Sequence, residues 1–456
     1  MTEGAYHLVG AGGIGMSAIA RLLLARGARV SGSDVRRTPL IEELEAEGVR
    51  IAIGHRAENV GDAATVVVSS AIAKDNPEFV AAIERRLDIV TRGKLLAVLA
   101  EGRKLVAVAG THGKTTTTAM LASVFEEAGY DPTVAVGGVR VDTGKNARAG
   151  SAWFVTEADE SDGSFLHLNP TIAVVTNIEN DHIGSDAEMA SLIEQFGTFV
   201  NKVPPTGRAV IGTDNRSSAF VGRMARAPVT TFATRAAADL TVADIAYDNL
   251  GSRFSVLELG TPLGEIALNV PGEINVQNAL GATAAARAAG IPFAPIAAAL
   301  RGFHGVRRRF EIVGRGAFTV VDDYAHHPTA IEKTIAAARG VAQGAPIVVA
   351  FQPHRYTRTA YLRDAFTESL RGADRVVLAP IYAASEAPIP EISERSIGEP
   401  LAASGTPVSY VADVEELLDV IPHEAPDGAL VLMLGAGSIS GVAHRLGERV
   451  AAALAR

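Results

Sequence analysis

Two short apolar segments, each followed at once by a glycine-rich loop and a helical pattern, constrain the fold of this chain more than any other feature. Residues 5–10 lead into Gly-Ala-Gly-Gly-Ile-Gly at residues 10–15, and residues 105–109 lead into Gly-Thr-His-Gly-Lys-Thr-Thr at residues 110–116. A strand, a tight glycine loop and a helix in this order are typical of parallel α/β sheets, in which ligands bind at the carboxyl ends of the strands. Short apolar runs alternate with amphipathic stretches along the whole chain, and we therefore predict an α/β fold.

Two polar segments divide this pattern into three parts. Residues 101–104 form a charged bridge before the second glycine loop, and residues 306–311 form a basic connection before a later apolar run. The length of 456 residues is typical of about three domains. We predict a Rossmann-like domain over residues 1–103, a central phosphate-loop ATPase-like domain over 104–312 and a C-terminal Rossmann-like α/β domain over 313–456.

Composition excludes several classes of protein. The chain has 42 Lys and Arg against 51 Asp and Glu, a net charge of −9 that argues against binding to nucleic acid. It contains no Cys, so disulfides, thiolate metal sites and a cysteine nucleophile are excluded. No apolar run approaches the length of a membrane span, and residues 1–4 lack the basic region of a signal peptide. We expect a cytoplasmic protein without membrane insertion.

The first glycine loop matches the G-x-G-x-x-G pattern of dinucleotide-binding folds. Backbone amides of Gly12, Gly13, Ile14 and Gly15 and the following helix N-terminus favour a diphosphate. Asp34 lies 19 residues after Gly15, where such folds place a ribose-binding acid. The alternative is a tight turn whose acid only caps a strand, and the loop by itself does not identify the diphosphate.

The second glycine loop is the stronger signal. Its backbone can wrap phosphates, Lys114 can reach their outer oxygens, and the Thr115 hydroxyl can hold Mg²⁺. The loop departs from the full G-x-x-x-x-G-K-[ST] pattern because residue 108 is Val. The alternative is a Gly/Thr turn before a helix.

Acidic residues follow the next two predicted strands, at residues 153–157 and 172–176. Glu-Ala-Asp-Glu-Ser-Asp begins at Glu157, and Asn-Ile-Glu-Asn-Asp-His ends at His182. Oxygen ligands suit Mg²⁺, and two ions would stabilise both ends of a phosphoryl transfer. The alternatives are a solvated acidic turn and a histidine that caps a loop.

Polar residues in the last third of the chain follow strands or begin helices. Asn275 opens Asn-Val-Gln-Asn before an Ala-rich helix, where it either contacts a base or caps the helix. Arg307–Arg309 offers a phosphate contact or a solvated linker. Asp322–Pro328 and Gln352–Arg358 each follow an apolar strand, and Arg355 and Arg358 are spaced to share one helix face and hold a carboxylate. A solvated helix start is the alternative.

Taken together, these residues resemble the Mur ligase family over nearly the whole chain. The resemblance consists of seven motifs in family order: Gly-Ala-Gly-Gly-Ile-Gly-Met-Ser from Gly10, Gly-Thr-His-Gly-Lys-Thr-Thr-Thr-Thr from Gly110, Glu-Ala-Asp-Glu-Ser-Asp from Glu157, Thr-Asn-Ile-Glu-Asn-Asp-His from Thr176, Arg-Arg-Arg-Phe-Glu from Arg307, Asp-Asp-Tyr-Ala-His-His-Pro from Asp322 and Gln-Pro-His-Arg-Tyr-Thr-Arg from Gln352. The resemblance implies a three-domain ligase that uses ATP to join an amino acid to the carboxylate of UDP-N-acetylmuramate through an acyl phosphate, in peptidoglycan precursor synthesis. It also implies that the first glycine loop holds UDP rather than NAD.

The resemblance assigns roles to individual residues. For ATP it implies the loop residues Gly110, Thr111, His112, Gly113, Lys114, Thr115 and Thr116, with Asn275, Arg309 and Asp323 at adenine, phosphate and ribose. For magnesium it implies Thr115, Glu157 and His182, with two ions. For the UDP-sugar it implies Gly12, Gly13, Ile14, Gly15, Asp34, Ser69 and Ser70. For the amino acid and the reaction intermediate it implies His327, His354, Arg355 and Arg358, and the catalytic set is Lys114, His182, His327, Arg355 and Arg358.

Three departures from the family pattern refine this interpretation. Ile274 replaces the usual His before the adenine-contacting Asn, and residues 183–186 lack the expected continuation after His182. Position 196 is Phe, where later ligases of the pathway carry a lysine, and this favours the member that adds L-alanine. We expect a monomer or weak homodimer.

Three alternatives stay open at this point. A ligase that recycles a preformed peptide onto the same nucleotide sugar would share nearly all the motifs, although the continuation from Glu160 argues against it. An NAD-dependent oxidoreductase built on residues 10–15 leaves the Lys114 loop unexplained. A catalytically silent nucleotide-binding protein would bind ligands without turnover.

Overall fold

The computed structural model describes residues 4–179, 186–248, 251–384 and 386–454. The chain divides into two compact units. The first consists of Met1–Val242, Val256–Gly264 and Asn278–Leu300, and the second of Ala243–Ser255, Glu265–Gln277 and Arg301–Arg456.

The first unit begins with a parallel five-stranded sheet in the order β3-β2-β1-β4-β5. Its strands are β1 (Ala5–Val9), β2 (Arg29–Asp34), β3 (Arg50–Ile53), β4 (Thr65–Val68) and β5 (Asp88–Thr91), and its helices are α1 (Ile14–Leu24), α2 (Pro39–Ala46), α3 (Pro77–Glu84) and α4 (Arg92–Ala100). All five residues of β1 are buried because it is the central strand. The carboxyl ends of β1, β2 and β4 therefore meet at one edge of the sheet.

A second sheet follows in the same unit, in the order β12-β11-β10-β6-β9-β7-β8. Its strands are β6 (Lys104–Ala109), β7 (Thr133–Ala135), β8 (Ala147–Arg148), β9 (Trp153–Glu157), β10 (Ile172–Val175), β11 (Arg208–Gly212) and β12 (Val229–Phe232). Three further strands, β13 (Leu240–Asp248), β14 (Gly251–Glu258) and β15 (Thr261–Leu268), are divided between the two units. The helices are α5 (Lys114–Glu127), α6 (Asp186–Val200), α7 (Arg216–Met224), α8 (Glu273–Ala288) and α9 (Phe293–Arg301). Strand β6 lies between β9 and β10, so the loops that follow these three strands are neighbours.

The second unit contains a six-stranded sheet in the order β16-β17-β21-β18-β19-β20. Its strands are β16 (Glu311–Arg315), β17 (Thr319–Asp323), β18 (Ile347–Phe351), β19 (Arg375–Leu378), β20 (Val408–Tyr410) and β21 (Leu430–Leu434). Its helices are α10 (Pro328–Ala342), α11 (Tyr356–Tyr361), α12 (Arg363–Leu370), α13 (Arg395–Ala403), α14 (Leu417–Glu424) and α15 (Ile439–Leu454). Only the edge strand β16 is antiparallel to its neighbour, and separate apolar clusters cover the two faces of the sheet.

The predicted α/β class with three sheets is confirmed, and two local expectations were wrong. Residues 306–311 were predicted as a basic connection, but Glu311 already begins β16, a strand that contains Gly314 and is followed by Gly316, and these glycines weaken the strand pattern in the sequence. Asn275 was predicted to precede its helix, but it lies inside the first turn of α8. In the part of the chain that is described, no helix is long and apolar enough to cross a membrane.

Candidate functional site

The first glycine loop is held by the end of the neighbouring strand β2. The amides of Gly10 and Ala11 both donate to the carbonyl of Ser33 at 2.9 Å, and the amide of Gly12 donates to Asp34 Oδ2 at 2.9 Å. A Cβ at position 12 would lie 2.8 Å from the same carboxylate oxygen, so only glycine allows this approach. Asp34 thus makes the capping contact of the simpler interpretation, and the Gly13 amide donates to the Gly10 carbonyl at 3.1 Å, so two of the four amides predicted for the diphosphate are engaged within the loop itself.

The remaining residues predicted for the UDP-sugar reach the same edge of the sheet. Ser69 and Ser70 follow β4, and the turn from Ser69 to Ile72 closes with a 3.2 Å backbone hydrogen bond. The side chain of Ile72 comes within 3.4 Å of a Cβ built at Gly10. The structure therefore brings the two predicted groups together around the first loop.

A buried carboxylate supports this edge from one face of the sheet. Glu78 is fully buried and accepts hydrogen bonds from Ser33 Oγ at 2.5 Å and Asn59 Nδ2 at 2.5 Å, with His7 Nε2 at 3.4 Å. Burial by itself would raise the pKa of the Glu78 carboxyl, but the hydrogen bonds from His7, Ser33 and Asn59 outweigh it and lower the pKa to about 2. The carboxylate is thus ionised and fixes the strand that ends at Asp34.

Arg92 joins the first glycine loop to the acidic segment after β9. Arg92 is the first residue of α4, and its Cδ lies 3.0 Å from a Cβ built at Gly15. Its guanidinium pairs with Asp159 at 3.2 Å and with Asp162 at 3.4 Å. Sequence reasoning missed this residue. The available signal was a cation in the first turn of a helix, where the helix dipole is unfavourable to positive charge.

Two glycines shape the second loop, between β6 and α5. Gly110 has φ 131° and Gly113 has φ 83°, a backbone region that other residues rarely adopt. A Cβ at Gly110 would overlap the Thr176 hydroxyl, and a Cβ at Gly113 would overlap Asn278 Oδ1. Asn278 Oδ1 also accepts a hydrogen bond from Thr117 Oγ1 at 3.3 Å. Asn278 belongs to the Asn-Val-Gln-Asn segment, but the sequence analysis did not predict it as a site residue.

Polar residues after β10 hold the outer part of this loop. The amide of His112 donates to Asn177 Oδ1 at 2.9 Å, and Asn177 Nδ2 donates back to the His112 carbonyl at 3.0 Å. The Glu179 amide donates to Thr111 Oγ1 at 2.8 Å, and its carboxylate lies 3.2 Å from His112 Nε2. Asn177 and Glu179 were not assigned to the site from sequence. His182, the predicted second metal ligand, lies outside the described residues.

Lys114 begins α5 with its ammonium group turned into the loop. Its Nζ donates to the Gly110 carbonyl at 2.6 Å, to the Thr111 carbonyl at 3.3 Å and to Glu160 Oε1 at 2.8 Å. Burial opposes the charged form, but the Glu160 carboxylate outweighs it and raises the pKa of Lys114. Burial also raises the pKa of Glu160, whose Oε2 has no hydrogen-bond partner among the described residues. Lys114 therefore carries a positive charge at the place where the loop amides converge.

Thr115 and Glu157 form a pair of oxygen donors next to Lys114. Thr115 Oγ1 donates to Glu157 Oε1 at 2.7 Å. The carboxylate lies in a cradle that Gly137 leaves open, because a Cβ at 137 would overlap Glu157 Oε2 and lie 2.8 Å from Glu157 Cδ. A hydroxyl and a carboxylate are the donors that Mg²⁺ prefers, so these residues fit the predicted magnesium site. Gly137 was not identified from sequence.

In the second unit, Asp323 organises the basic segment that precedes β16. Its carboxylate accepts from the amides of Phe310 and Ala325, each at 2.7 Å, and burial raises the pKa of Asp323 to about 6 against the opposing charge of Arg309. Arg309 lies over the ring of Tyr324, 5.1 Å from its centroid. The predicted residues Arg309 and Asp323 are thus brought together. Asn275 Nδ2 donates to the Pro271 carbonyl at 2.7 Å.

Among the residues predicted for the amino acid, Arg358 and His327 are buried, His354 is half-buried and Arg355 is exposed. Arg358 is buried, and its Nη1 lies 3.3 Å from His354 Nδ1. His354 stacks on Tyr382 with ring centroids 5.5 Å apart, and His327 is buried at the N-terminus of α10. Arg355 corrects the expectation of a shared helix face: it precedes α11 with φ 72° and is exposed, because the chain turns sharply at this residue before the helix begins.

Together these features define an α/β protein with two glycine loops built for phosphate groups, one of which has a half-buried lysine and a magnesium-type oxygen pair. Family models match the chain in three segments: "Mur ligase family, catalytic domain" over residues 5–104, "Mur ligase middle domain" over 108–286 and "Mur ligase, glutamate ligase domain" over 308–437. The chain belongs to the Mur ligase family, as its motifs predicted.

Individual relatives agree with this assignment. The chain is 44% identical over 447 residues to a UDP-N-acetylmuramate–L-alanine ligase of Geotalea uraniireducens, with 97% of each chain covered. Among solved structures it is similar to a UDP-N-acetylmuramate–alanine ligase of Thermotoga maritima, with a TM-score of 0.86, 30% identity and 99% of this chain and 100% of that chain covered. It is also similar to a murein peptide ligase of Psychrobacter arcticus, with a TM-score of 0.75, 26% identity and 98% and 99% covered.

Proposed function

We propose that this chain uses ATP to join L-alanine to the carboxylate of UDP-N-acetylmuramate, releasing ADP and phosphate. The observation that carries the proposal is the Lys114 loop with its Thr115–Glu157 oxygen pair, in a chain whose full-length relatives bear the name of this ligase. The NAD-dependent alternative leaves that loop without a role. The silent-protein alternative would use the same loop for binding, so it is separated from the ligase by turnover and not by the geometry of the loop.

The UDP-sugar binds at the first glycine loop. The first turn of α1, which begins at Ile14, offers backbone amides and the positive end of the helix dipole to a diphosphate. Asp34 holds the loop through Gly12 and presents its second oxygen to the nucleoside, while Ser69 and Ser70 line the same edge. The helix N-terminus supplies positive potential locally, so the overall charge of −9 is compatible with an anionic substrate.

ATP binds at the second loop, where the backbone amides and Lys114 neutralise its phosphates. Thr115 and Glu157, with the predicted ligand His182, would hold Mg²⁺, which when bound neutralises charge on the phosphates; we propose two ions. A carboxylate oxygen of the sugar attacks the γ-phosphorus and ADP leaves, so that a poor acyl donor becomes an acyl phosphate. Lys114 stabilises the negative charge that develops during this transfer. Asn275, Arg309 and Asp323 are the proposed contacts of adenine, phosphate and ribose.

The amine of alanine then attacks the acyl carbon, loses a proton, and phosphate leaves with the oxygen that came from the carboxylate. Arg355 and Arg358 hold the alanine carboxylate, with His327 and His354 beside it, so catalysis is positioning and electrostatics. The exposed Arg355 must reorient its side chain to meet the buried Arg358 at one carboxylate. A cytoplasmic location and a monomeric or weakly dimeric state are proposed with this activity.

A phosphate-release assay with UDP-N-acetylmuramate and ATP tests the proposal against its alternatives. Each amino acid is supplied singly, and L-alanyl-γ-D-glutamyl-diaminopimelate is supplied in parallel. We expect release with L-alanine and a product whose mass is that of the alanyl nucleotide sugar. Release with the tripeptide only would identify the peptide-recycling ligase, and binding of both nucleotides without release with any acceptor would identify the silent protein.

A further inference from the structure

A cluster of three metal-ligating side chains lies in the second unit, apart from every residue assigned above. Glu311 of β16, Asp322 of β17 and His444 of α15 each present one ligand atom, and these atoms all lie within 4.8 Å of one another. His444 Nε2 is 3.5 Å from Asp322 Oδ2 and 3.9 Å from Glu311 Oε2. Ligand atoms of one tetrahedral ion, each about 2.1 Å from it, lie about 3.4 Å apart, so small adjustments bring the three onto one ion.

The strand register places the two acids directly against each other. Glu311 and Asp322 are paired residues of the antiparallel strands β16 and β17. Like charges in such a pair destabilise a sheet unless a cation compensates them. Asp322 is fully buried; its Oδ2 accepts from Ser440 Oγ at 2.5 Å, but its Oδ1 has no hydrogen-bond partner among the described residues. A buried carboxylate oxygen without a partner is costly, and a bound cation removes that cost.

Helix α15 holds the third ligand rigidly over the acid pair. Gly447 lies one turn after His444, and its backbone meets that of Gly314 in β16 so closely that a Cβ at 314 would lie 2.6 Å from the Gly447 carbonyl carbon. Residues three apart share a helix face, so the contact at Gly447 fixes the position of His444. The ligands are therefore supplied by three elements that are locked together in the fold.

The site opens to solvent and faces away from the proposed ATP contacts. His444 has 44% of its side chain exposed, which leaves a path for an ion, while Glu311 is 15% exposed. Side chains alternate along a strand, so Asp322 turns toward α15, whereas the next residue, Asp323, turns toward Phe310. An imidazole among carboxylates favours zinc and similar transition metals over magnesium.

We propose that Glu311, Asp322 and His444 form a binding site for a divalent transition-metal ion of the Zn²⁺ type. The ion joins the edge strand β16, its neighbour β17 and helix α15. The site goes beyond the ligase activity and does not depend on it.

The test is a count of bound Zn²⁺ by equilibrium dialysis of the full chain at pH 8, with Zn²⁺ alone as the probe. The variants are His444→Gln and Glu311→Gln, and the matched control is His423→Gln, which changes an exposed histidine on α14. We expect wild type and control to bind one equivalent more than either variant, or the variants to bind that equivalent about 10- to 100-fold more weakly. We also expect Zn²⁺ to raise the melting temperature of wild type and control only.

Counting by difference separates this site from the Thr115–Glu157 pair, which all four proteins retain. Replacing Zn²⁺ by Co²⁺ adds a spectroscopic readout, because an imidazole ligand to Co²⁺ changes its visible absorption, and that change must disappear in His444→Gln. Equal Zn²⁺ counts and equal affinities in wild type and His444→Gln would overturn the proposal.

Discussion

A methyl group at position 137 is a small change that is directed at the carboxylate of Glu157. The three nearest atoms to a Cβ built at Gly137 all belong to Glu157: Oε2, which it overlaps, Cδ at 2.8 Å and Oε1 at 3.1 Å. Since ordinary contacts begin at 3.4 Å, the carboxylate of Gly137→Ala must retreat by more than about 1 Å. That displacement breaks the 2.7 Å hydrogen bond from Thr115 Oγ1.

Stability and activity respond very differently to this displacement. A hydrogen bond to a charged acceptor contributes about 1.5–3 kcal/mol, but the half-buried Glu157 regains contact with water when it swings away. We therefore expect the free energy of unfolding to fall by only about 1 kcal/mol. A catalytic group misplaced by about 1 Å costs about 100-fold in rate, so we expect kcat/KM to fall by that factor. We also expect the Mg²⁺ concentration that gives half-maximal activity to rise.

The assay combines phosphate release over a Mg²⁺ titration with urea unfolding. Gly340→Ala is the matched control, because nothing lies within 4 Å of a Cβ at this exposed position of α10. It should keep full activity and gain about 0.5–1 kcal/mol of stability from the better helix former. If Gly137→Ala turns over at the wild-type rate with an unchanged Mg²⁺ dependence, Glu157 does not hold the metal.

Three further predictions rest on other parts of the molecule. Lys114→Ala should lose phosphate release yet bind UDP-N-acetylmuramate as wild type does in calorimetric titrations; a near-normal specific activity would show the phosphate-loop assignment to be wrong. Because the pKa of Glu78 is lowered to about 2, its contribution is fully present above pH 4.5 and is lost as the pH falls toward 2. The free energy of unfolding of Glu78→Gln, measured with urea, should not show this loss of about 3 kcal/mol at acid pH. A pH dependence equal to that of the wild type would refute the prediction. Gly314→Ala should destabilise the protein by about 1–3 kcal/mol through its clash with the Gly447 backbone, whereas Gly441→Ala, with open space around it, should not.

The loops that bind phosphate could be predicted from the sequence because their geometry is local. Gly10 to Gly15 and Gly110 to Thr115 each require glycines at fixed offsets between a strand and a helix, and that spacing is visible in the chain. Glu157 follows from the same logic, since the carboxyl ends of neighbouring parallel strands meet at one edge.

The partners of these loops could not be predicted, because tertiary packing brings them from distant positions. Asn278 reaches Gly113 across 165 residues of chain, and Gly137 matters only because the Glu157 carboxylate occupies the space above it. Arg92 looks like a surface cation until the acids after β9 are seen beside it. Arg355 was misplaced because a three-residue spacing assumes a continuous helix, and the chain turns at φ 72° instead.

Oxygen-18 labelling shows whether ATP activates the sugar carboxylate before L-alanine attacks it. UDP-N-acetylmuramate labelled in its carboxylate oxygens is incubated with ATP, Mg²⁺ and L-alanine, and the released phosphate is analysed by mass spectrometry. We expect one labelled oxygen in each phosphate and none in ADP, because the carboxylate oxygen that attacks the γ-phosphorus leaves with it. Phosphate without label, alongside formation of the amide, would contradict the acyl-phosphate route.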